Sequence, residues 1–315
     1  YIFYPQSEKS KELDIPMMMN FSHRMISLDE SGDHNNIDYP LPGSVSLDKW
    51  ATKVEDSDNL WRIDLTLTGK NIHSTSDIVL VIDRSGSMSG ARMGAAKNAA
   101  ANFINTLLAN EDNTSIRIAV VSFSSNVTVH NQPSPFKTFD GKTDLLLAVN
   151  GLNASGGTFT QAALKQAEAL LSSSTADYRN IVLLSDGEPT YSYALDNFNS
   201  KRNPTYFENF GGNNWQNKDN LMETDYNYGS TAGNGNSMTT QVNTLSGQTY
   251  YYNHGNSAVA ESRFIKNNST TIYSVGLSAG SDGQSVLNRI ASPGKSYTAS
   301  TSDLNEIFQT IAGSI

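Results

Sequence analysis

Asp77-Ile78-Val79-Leu80-Val81-Ile82-Asp83-Arg84-Ser85-Gly86-Ser87 is the stretch on which the reading of this 315-residue chain turns. Its first half is a continuous aliphatic and β-branched run, without the polar alternation of a half-buried strand. Such a run fits a strand covered on both faces, as in a parallel sheet between helices. Its second half is a turn in which a carboxylate and two hydroxyls stand two residues apart. Ala96, Ala100, Phe103, Ile104, Leu107 and Leu108 then recur at helical spacing, one stripe of an amphipathic helix.

The alternation continues outward. Ile116 to Phe123 reads as a strand, Ala163, Ala167, Leu170 and Leu171 as one helix face, and Ile181 to Leu184 as a strand. Thr271 to Val275 supplies another strand, and Leu304, Ile307, Phe308 and Ile311 a final helix stripe. Strands alternating with helices predict an α/β fold, doubly wound, with a mainly parallel sheet flanked by helices over 76–190 and 257–315.

Between these parts, 191–256 is dominated by Asn, Gly and Tyr and carries eight of the 14 tyrosines. A structureless loop of that length is uncommon in a compact domain, so an inserted arm is expected. Phe207, Phe210, Trp215 and Tyr250-Tyr251-Tyr252 are expected to form its small core. Tyr-, Asn- and Gly-rich surfaces also suit adaptable binding. Residues 1–75 form a β-rich N-terminal segment. Within it, 1 to about 42 reads as irregular or edge structure, whereas Val45, Leu47, Trp61, Ile63, Leu65 and Leu67 predict a hairpin with one buried face.

Composition excludes several classes. Lys and Arg total 22 against 31 Asp and Glu, a net charge of -9, and no dense basic run is present. Nucleic-acid binding is therefore not expected. No stretch approaches the roughly 18 consecutive apolar residues of a membrane span. Cysteine is absent, which removes disulfides, thiolate metal sites and cysteine nucleophiles. Tyr1-Ile2-Phe3-Tyr4-Pro5 lacks the character of a signal peptide, and the chain stops at Ile315 straight after an amphipathic pattern, as expected of a piece of a longer protein.

A turn at the carboxyl end of a central strand faces the crevice where doubly wound folds bind ligands. Asp83, Ser85 and Ser87 are hard oxygen donors, suited to Mg2+, Mn2+ or Ca2+ rather than zinc. Gly156-Gly157-Thr158-Phe159-Thr160 precedes the second helix, and Ser185-Asp186-Gly187-Glu188 ends the third strand. With these three pieces in order, the sequence resembles the von Willebrand factor A domain and its metal-ion-dependent adhesion site. The resemblance implies a divalent cation, Mg2+ before Ca2+ or Mn2+, held by Asp83, Ser85, Ser87, Thr158 and Asp186. It puts the ligand at Thr158, directly after the two glycines, rather than at Thr160. It further implies that Ser85 and Ser87 bind directly, Thr158 directly in the partner-bound state, and the two aspartates mostly through water. The open position would take an acidic side chain of a partner, with the insertion 191–256 at the rim. The final helix is expected to shift between states, as in related domains.

The lead-in Pro42-Gly43-Ser44-Val45 through Trp61-Arg62-Ile63-Asp64-Leu65-Thr66-Leu67 is similar to the β-rich segment of pilus-tip and cell-surface adhesins of Gram-positive bacteria. That implies an extracellular module on the cell wall or pilus tip that binds a host extracellular-matrix or cell-surface protein, with other pilus subunits contacted through regions outside this chain. A rival reading is an intracellular or structural scaffold whose metal site assembles a protein complex. Lys49 invites the question of an internal isopeptide bond, but a surface lysine is the simpler expectation. No catalysis is expected. Gly276-Leu277-Ser278-Ala279-Gly280 matches a nucleophile elbow, yet His23, His34, His73, His130 and His254 all precede it, whereas the hydrolase order needs a later histidine. Gly141-Lys142-Thr143 lacks the first glycine of a phosphate loop, since position 136 is Phe.

Overall fold

A computed structural model describes residues 45–55, 59–69, 74–111 and 113–315. The irregular structure expected for 1 to about 42 lies outside the described residues. The chain divides into two compact units, Tyr1–His73 and Ser74–Ile315.

In the first unit β1 (Val45–Lys53) pairs antiparallel with β2 (Trp61–Gly69), in a register that sets Leu47 opposite Leu67 and Ala51 opposite Ile63. The pairing is as predicted and the burial is not. Leu47 and Leu67, on the apolar face, are 64% and 71% exposed. A two-stranded ribbon supplies no second layer to cover its own face.

The second unit runs β3 (Ser76–Asp83), α1 (Ala91–Leu107), β4 (Ile116–Phe123), β5 (Val127–Val129), α2 (Lys142–Asn150), α3 (Thr160–Leu171) and β6 (Tyr178–Ser185). The arm follows as β7 (Tyr191–Leu195), α4 (Phe198–Lys201), β8 (Phe207–Asn209), β9 (Asn214–Asn217), β10 (Tyr226–Gly233), β11 (Thr239–Leu245) and β12 (Gln248–Asn253). The chain then returns through α5 (His254–Asn267), β13 (Thr270–Leu277), α6 (Ser281–Ile290), β14 (Ser296–Ala299) and α7 (Leu304–Ala312).

The main sheet has the order β14-β13-β6-β3-β4-β5, parallel throughout except for the antiparallel edge strand β5. Every residue of β3 is buried, as its unbroken apolar run requires. Successive side chains serve opposite faces. Ile78, Leu80 and Ile82 pack with α1, α2 and α7, while Val79 and Val81 pack with α3, α5 and α6. Phe103 of α1 meets Phe308 of α7 edge to face at 5.5 Å. Among the described residues, no helix is long and apolar enough to cross a membrane.

The arm is folded. β10 pairs with β7, and β11-β12-β9-β8 form a separate four-stranded sheet. Leu195, Phe207, Leu221, Tyr226, Tyr250 and Tyr252 make a third core, joined to the layer over Val79 and Val81 by α5, whose Ala260 packs into it. Trp215 stacks on Tyr250 with centroids 6.4 Å apart. Phe210 departs from expectation: it is 57% exposed in the tight connection between β8 and β9, outside the core. The asparagines do structural work. Asn217 accepts from the N–H of Asn253 at 2.6 Å and donates to Ser257 Oγ at 3.2 Å, and Asn256 donates to the Asn217 carbonyl at 2.7 Å. Asn253 caps α5 by accepting from the Asn256 N–H. Buried amides bonded in this way replace the apolar residues of an ordinary core.

Candidate metal centre

The carboxyl ends of β3 and β6 bring two carboxylates into one crevice. Asp83, the last residue of β3, is fully buried. It accepts from the Ser85 N–H at 2.7 Å and from the Ser185 hydroxyl at 2.6 Å. The hydroxyls of Ser85 and Ser87 lie 3.0 Å apart, and Ser87 donates to Asp186 at 2.8 Å. The side-chain oxygens of Ser85, Ser87 and Asp186 thus form one chain, which Asp83 joins through the Ser85 N–H, and the set is open to solvent at the exposed Ser87.

The third loop is tied to this set through backbone. Gly86 N–H donates to the Gly156 carbonyl and Ser155 N–H to the Arg84 carbonyl, both at 2.8 Å. Gly156 has φ of +79°, and a Cβ there would stand 2.8 Å from Ser125 Oγ, so both conformation and space call for glycine. Thr158 follows two residues after Gly156 and is 5% exposed. The alternative hydroxyl, Thr160 Oγ1, is buried without a hydrogen-bond partner.

Three contributing residues escaped the sequence reading. Ser185 holds Asp83. Thr190 accepts from the Thr158 N–H at 2.8 Å. Arg92 in the first turn of α1 donates to Asp186 at 3.2 Å, to the Ser87 carbonyl at 3.0 Å and to the Ser278 carbonyl at 3.5 Å. Arg92 did leave a signal. A cation in the first turn opposes the helix dipole, which points to a partner elsewhere.

Burial pushes the Asp83 carboxyl from its ordinary value of 3.8 up to about 7 against the pull of its bonds from Ser185 and Ser85, and the Asp186 charge adds to the rise. Asp186 is also raised by burial, opposed by Ser87 and Arg92. No basic side chain pairs with Asp83 in the hydrogen bonds and ion pairs of the described residues. A buried carboxylate without a counter-charge, surrounded by hydroxyl oxygens, fits a hard divalent cation. Among the described residues there is no cluster of three or more His, Asp or Glu of metal-holding geometry.

The von Willebrand factor type A domain model matches residues 77–311. The minor fimbrium subunit Mfa5 of Porphyromonas gingivalis is 32% identical over 163 residues, which covers 49% of this chain and 13% of that protein. Among solved structures, the vWF domain of the type V pili tip protein Mfa5 from the same organism superposes with a TM-score of 0.69 at 24% identity, over 77% of this chain and 95% of that one. The pilus adhesin SpaC from Lactobacillus rhamnosus GG gives 0.64 at 20% identity, over 90% of this chain and 37% of that one. At these identities the structural likeness establishes the fold.

Proposed function

The chain belongs to the von Willebrand factor type A domain family, and from that premise we propose that it is the metal-dependent adhesive module of a bacterial pilus-tip or cell-surface protein. The observation that carries the reading is the hydrogen-bonded set of Asp83, Ser85, Ser87 and Asp186 at the carboxyl end of the sheet, with Thr158 in the loop tied to it. The type V pili tip protein Mfa5 and the pilus adhesin SpaC, both of this fold, support the setting. One relative comes from a Gram-negative organism and another from Lactobacillus rhamnosus, so the proposal is for a bacterial surface without regard to wall type.

Ser85, Ser87 and Thr158 would hold a Mg2+-class cation directly, and Asp83 and Asp186 chiefly through water. The bound cation supplies a positive, oxygen-seeking centre that accepts a carboxylate from the partner. The chain's own residues shape that preference. Two carboxylates only balance a divalent charge, and Arg92 beside Asp186 adds a further positive group. Ser185 and the Ser85 N–H fix the Asp83 oxygens, while the Ser87 side remains open. The partner we propose is a host extracellular-matrix or surface protein engaged through an acidic side chain, without catalysis.

The test is binding to immobilised matrix proteins in Mg2+ and in chelator, beside Ser87→Ala. Binding in Mg2+ that vanishes both in chelator and in the variant is the expected result. Binding that survives chelation would contradict the metal dependence and leave an adhesion that does not pass through the cation, and no binding in Mg2+ would favour the scaffold reading.

A further inference from the structure

The metal loop and the arm are joined through one residue. Thr158 donates its N–H to Thr190 Oγ1 at 2.8 Å, and its carbonyl accepts from the N–H groups of Thr190 at 2.8 Å and Tyr191 at 3.1 Å. Thr190 stands four residues after Asp186, and Tyr191 opens β7, the first strand of the arm. The backbone on both sides of Thr158 is therefore held by the root of the arm.

The packing around these bonds is close. A Cβ built on Gly157 would stand 2.7 Å from Thr190 Oγ1, 2.7 Å from Tyr191 Cε2 and 2.8 Å from the Cα of Gly235. Gly233, at φ of +126°, meets the other side of the same tyrosine, its Cβ position 2.7 Å from Tyr191 Cδ1. Rings carry the contact onward. Phe159, next to Thr158, lies 6.1 Å from Tyr191 and 4.9 Å from Tyr193. Tyr193 meets Tyr228 of β10 edge on at 4.8 Å, and Lys165 Nζ sits 3.7 Å above the Tyr228 ring.

From this geometry we infer that Thr190 is a positioning residue for Thr158, and that the arm sets the strength of the metal site as well as forming its rim. The inference rests on the metal reading proposed above. A hydroxyl on a loop serves a cation only if the loop is kept in place, and fixing both the N–H and the carbonyl of one residue prevents its peptide units from turning. Coupling of this kind is reciprocal. Cation binding tightens the root of the arm, and a partner that draws the arm away weakens the site.

The experiment measures Mn2+ affinity by calorimetry for the wild type, Thr190→Val and Thr190→Ser, with amide hydrogen exchange at Thr190 and Tyr191 with and without Mn2+. Removing the Oγ1 acceptor leaves the Thr158 N–H without its partner, and about tenfold weaker Mn2+ binding in Thr190→Val is expected. Thr190→Ser, which keeps the hydroxyl, restores wild-type affinity. In the wild type, Mn2+ slows exchange at both amides. Equal affinity in all three proteins, or equal weakening in Val and Ser variants, overturns the clamp. The exchange arm needs no variant, so unchanged exchange in the Mn2+-bound wild type overturns it even if Thr190→Val does not fold. Absence of Mn2+ binding in the wild type instead removes the metal reading, and the clamp with it.

Discussion

In chelator at pH 8, Asp83→Asn is expected to melt higher than the wild type, although the variant no longer binds metal. Folding buries Asp83 completely and raises its carboxyl from 3.8 to about 7. The folded form therefore keeps a proton that the unfolded chain gives up, and stability falls as pH rises through that window. The full cost is reached above pH 7 and amounts to about 4 kcal/mol, a ceiling set by the pKa difference. Asn at 83 keeps an acceptor for the Ser85 N–H, and its NH2 group reverses the second bond by donating to Ser185 Oγ, which donates to the carboxylate in the wild type, so two bonds persist without the charge. The expected gain is roughly 5–10 °C at pH 8, shrinking towards pH 5. Mg2+ at pH 8 should raise the wild type and leave the variant unmoved. Asp186 and Glu261, raised by burial, slope the same way, whereas His254, lowered to about 4, opposes them below its ordinary range. Scans of the two proteins across pH isolate Asp83. A variant less stable than the metal-free wild type at pH 8, or a gap that ignores pH, would contradict the account.

Phe207→Ala is the second large effect. Phe207 is fully buried and meets Phe198 and Tyr250 edge to face at 5.9 and 5.2 Å. Truncating such a ring costs about 3–5 kcal/mol. The loss falls first on the arm, whose core meets the layers around the main sheet only through α5, which gives Ala260 to the arm's core and Ala258, Val259 and Ile265 to the layer over Val79 and Val81. Limited proteolysis should then cut between 198 and 250 while β3, β4, β6 and the helices on them stay resistant. Simultaneous loss of both parts would show that the arm and the domain form one cooperative unit.

How much of this was legible in the sequence follows from what each residue has to do. β3 announced itself because burial on both faces removes every polar residue from 78 to 82. The helix stripes of α1, α3 and α7 were readable for the same reason. α5 was not, because the stretch His254 to Glu261 buries polar groups rather than displaying an apolar stripe. His254, bonded to Ser192 and Thr240 at 2.8 and 2.9 Å, is one of them. α6 and the short edge strands β5 and β14 are too polar or too brief to carry a period. The arm showed in composition alone, since networks such as Asn217–Asn253–Asn256 have no repeat. The hairpin's alternation promised a buried face, yet alternation reports only that two faces differ.

The candidate site was half legible. Asp83, Ser85, Ser87 and Asp186 stand at strand ends, where residue type and position coincide, and the structure links them by hydrogen bonds. Ser185 and Thr190 act through single bonds to residues distant in sequence, and no local pattern marks such partners. Arg92 was marked only by its misfit with the helix dipole.

The central claim is that these oxygens hold one divalent cation. The most direct test is calorimetric titration of chelator-stripped protein with Mg2+, Mn2+ and Ca2+, beside the same titration of Asp83→Asn. The account predicts one saturable site in the wild type and none in the variant. A wild type that binds no cation, or a site indifferent to the loss of the Asp83 carboxylate, would contradict it.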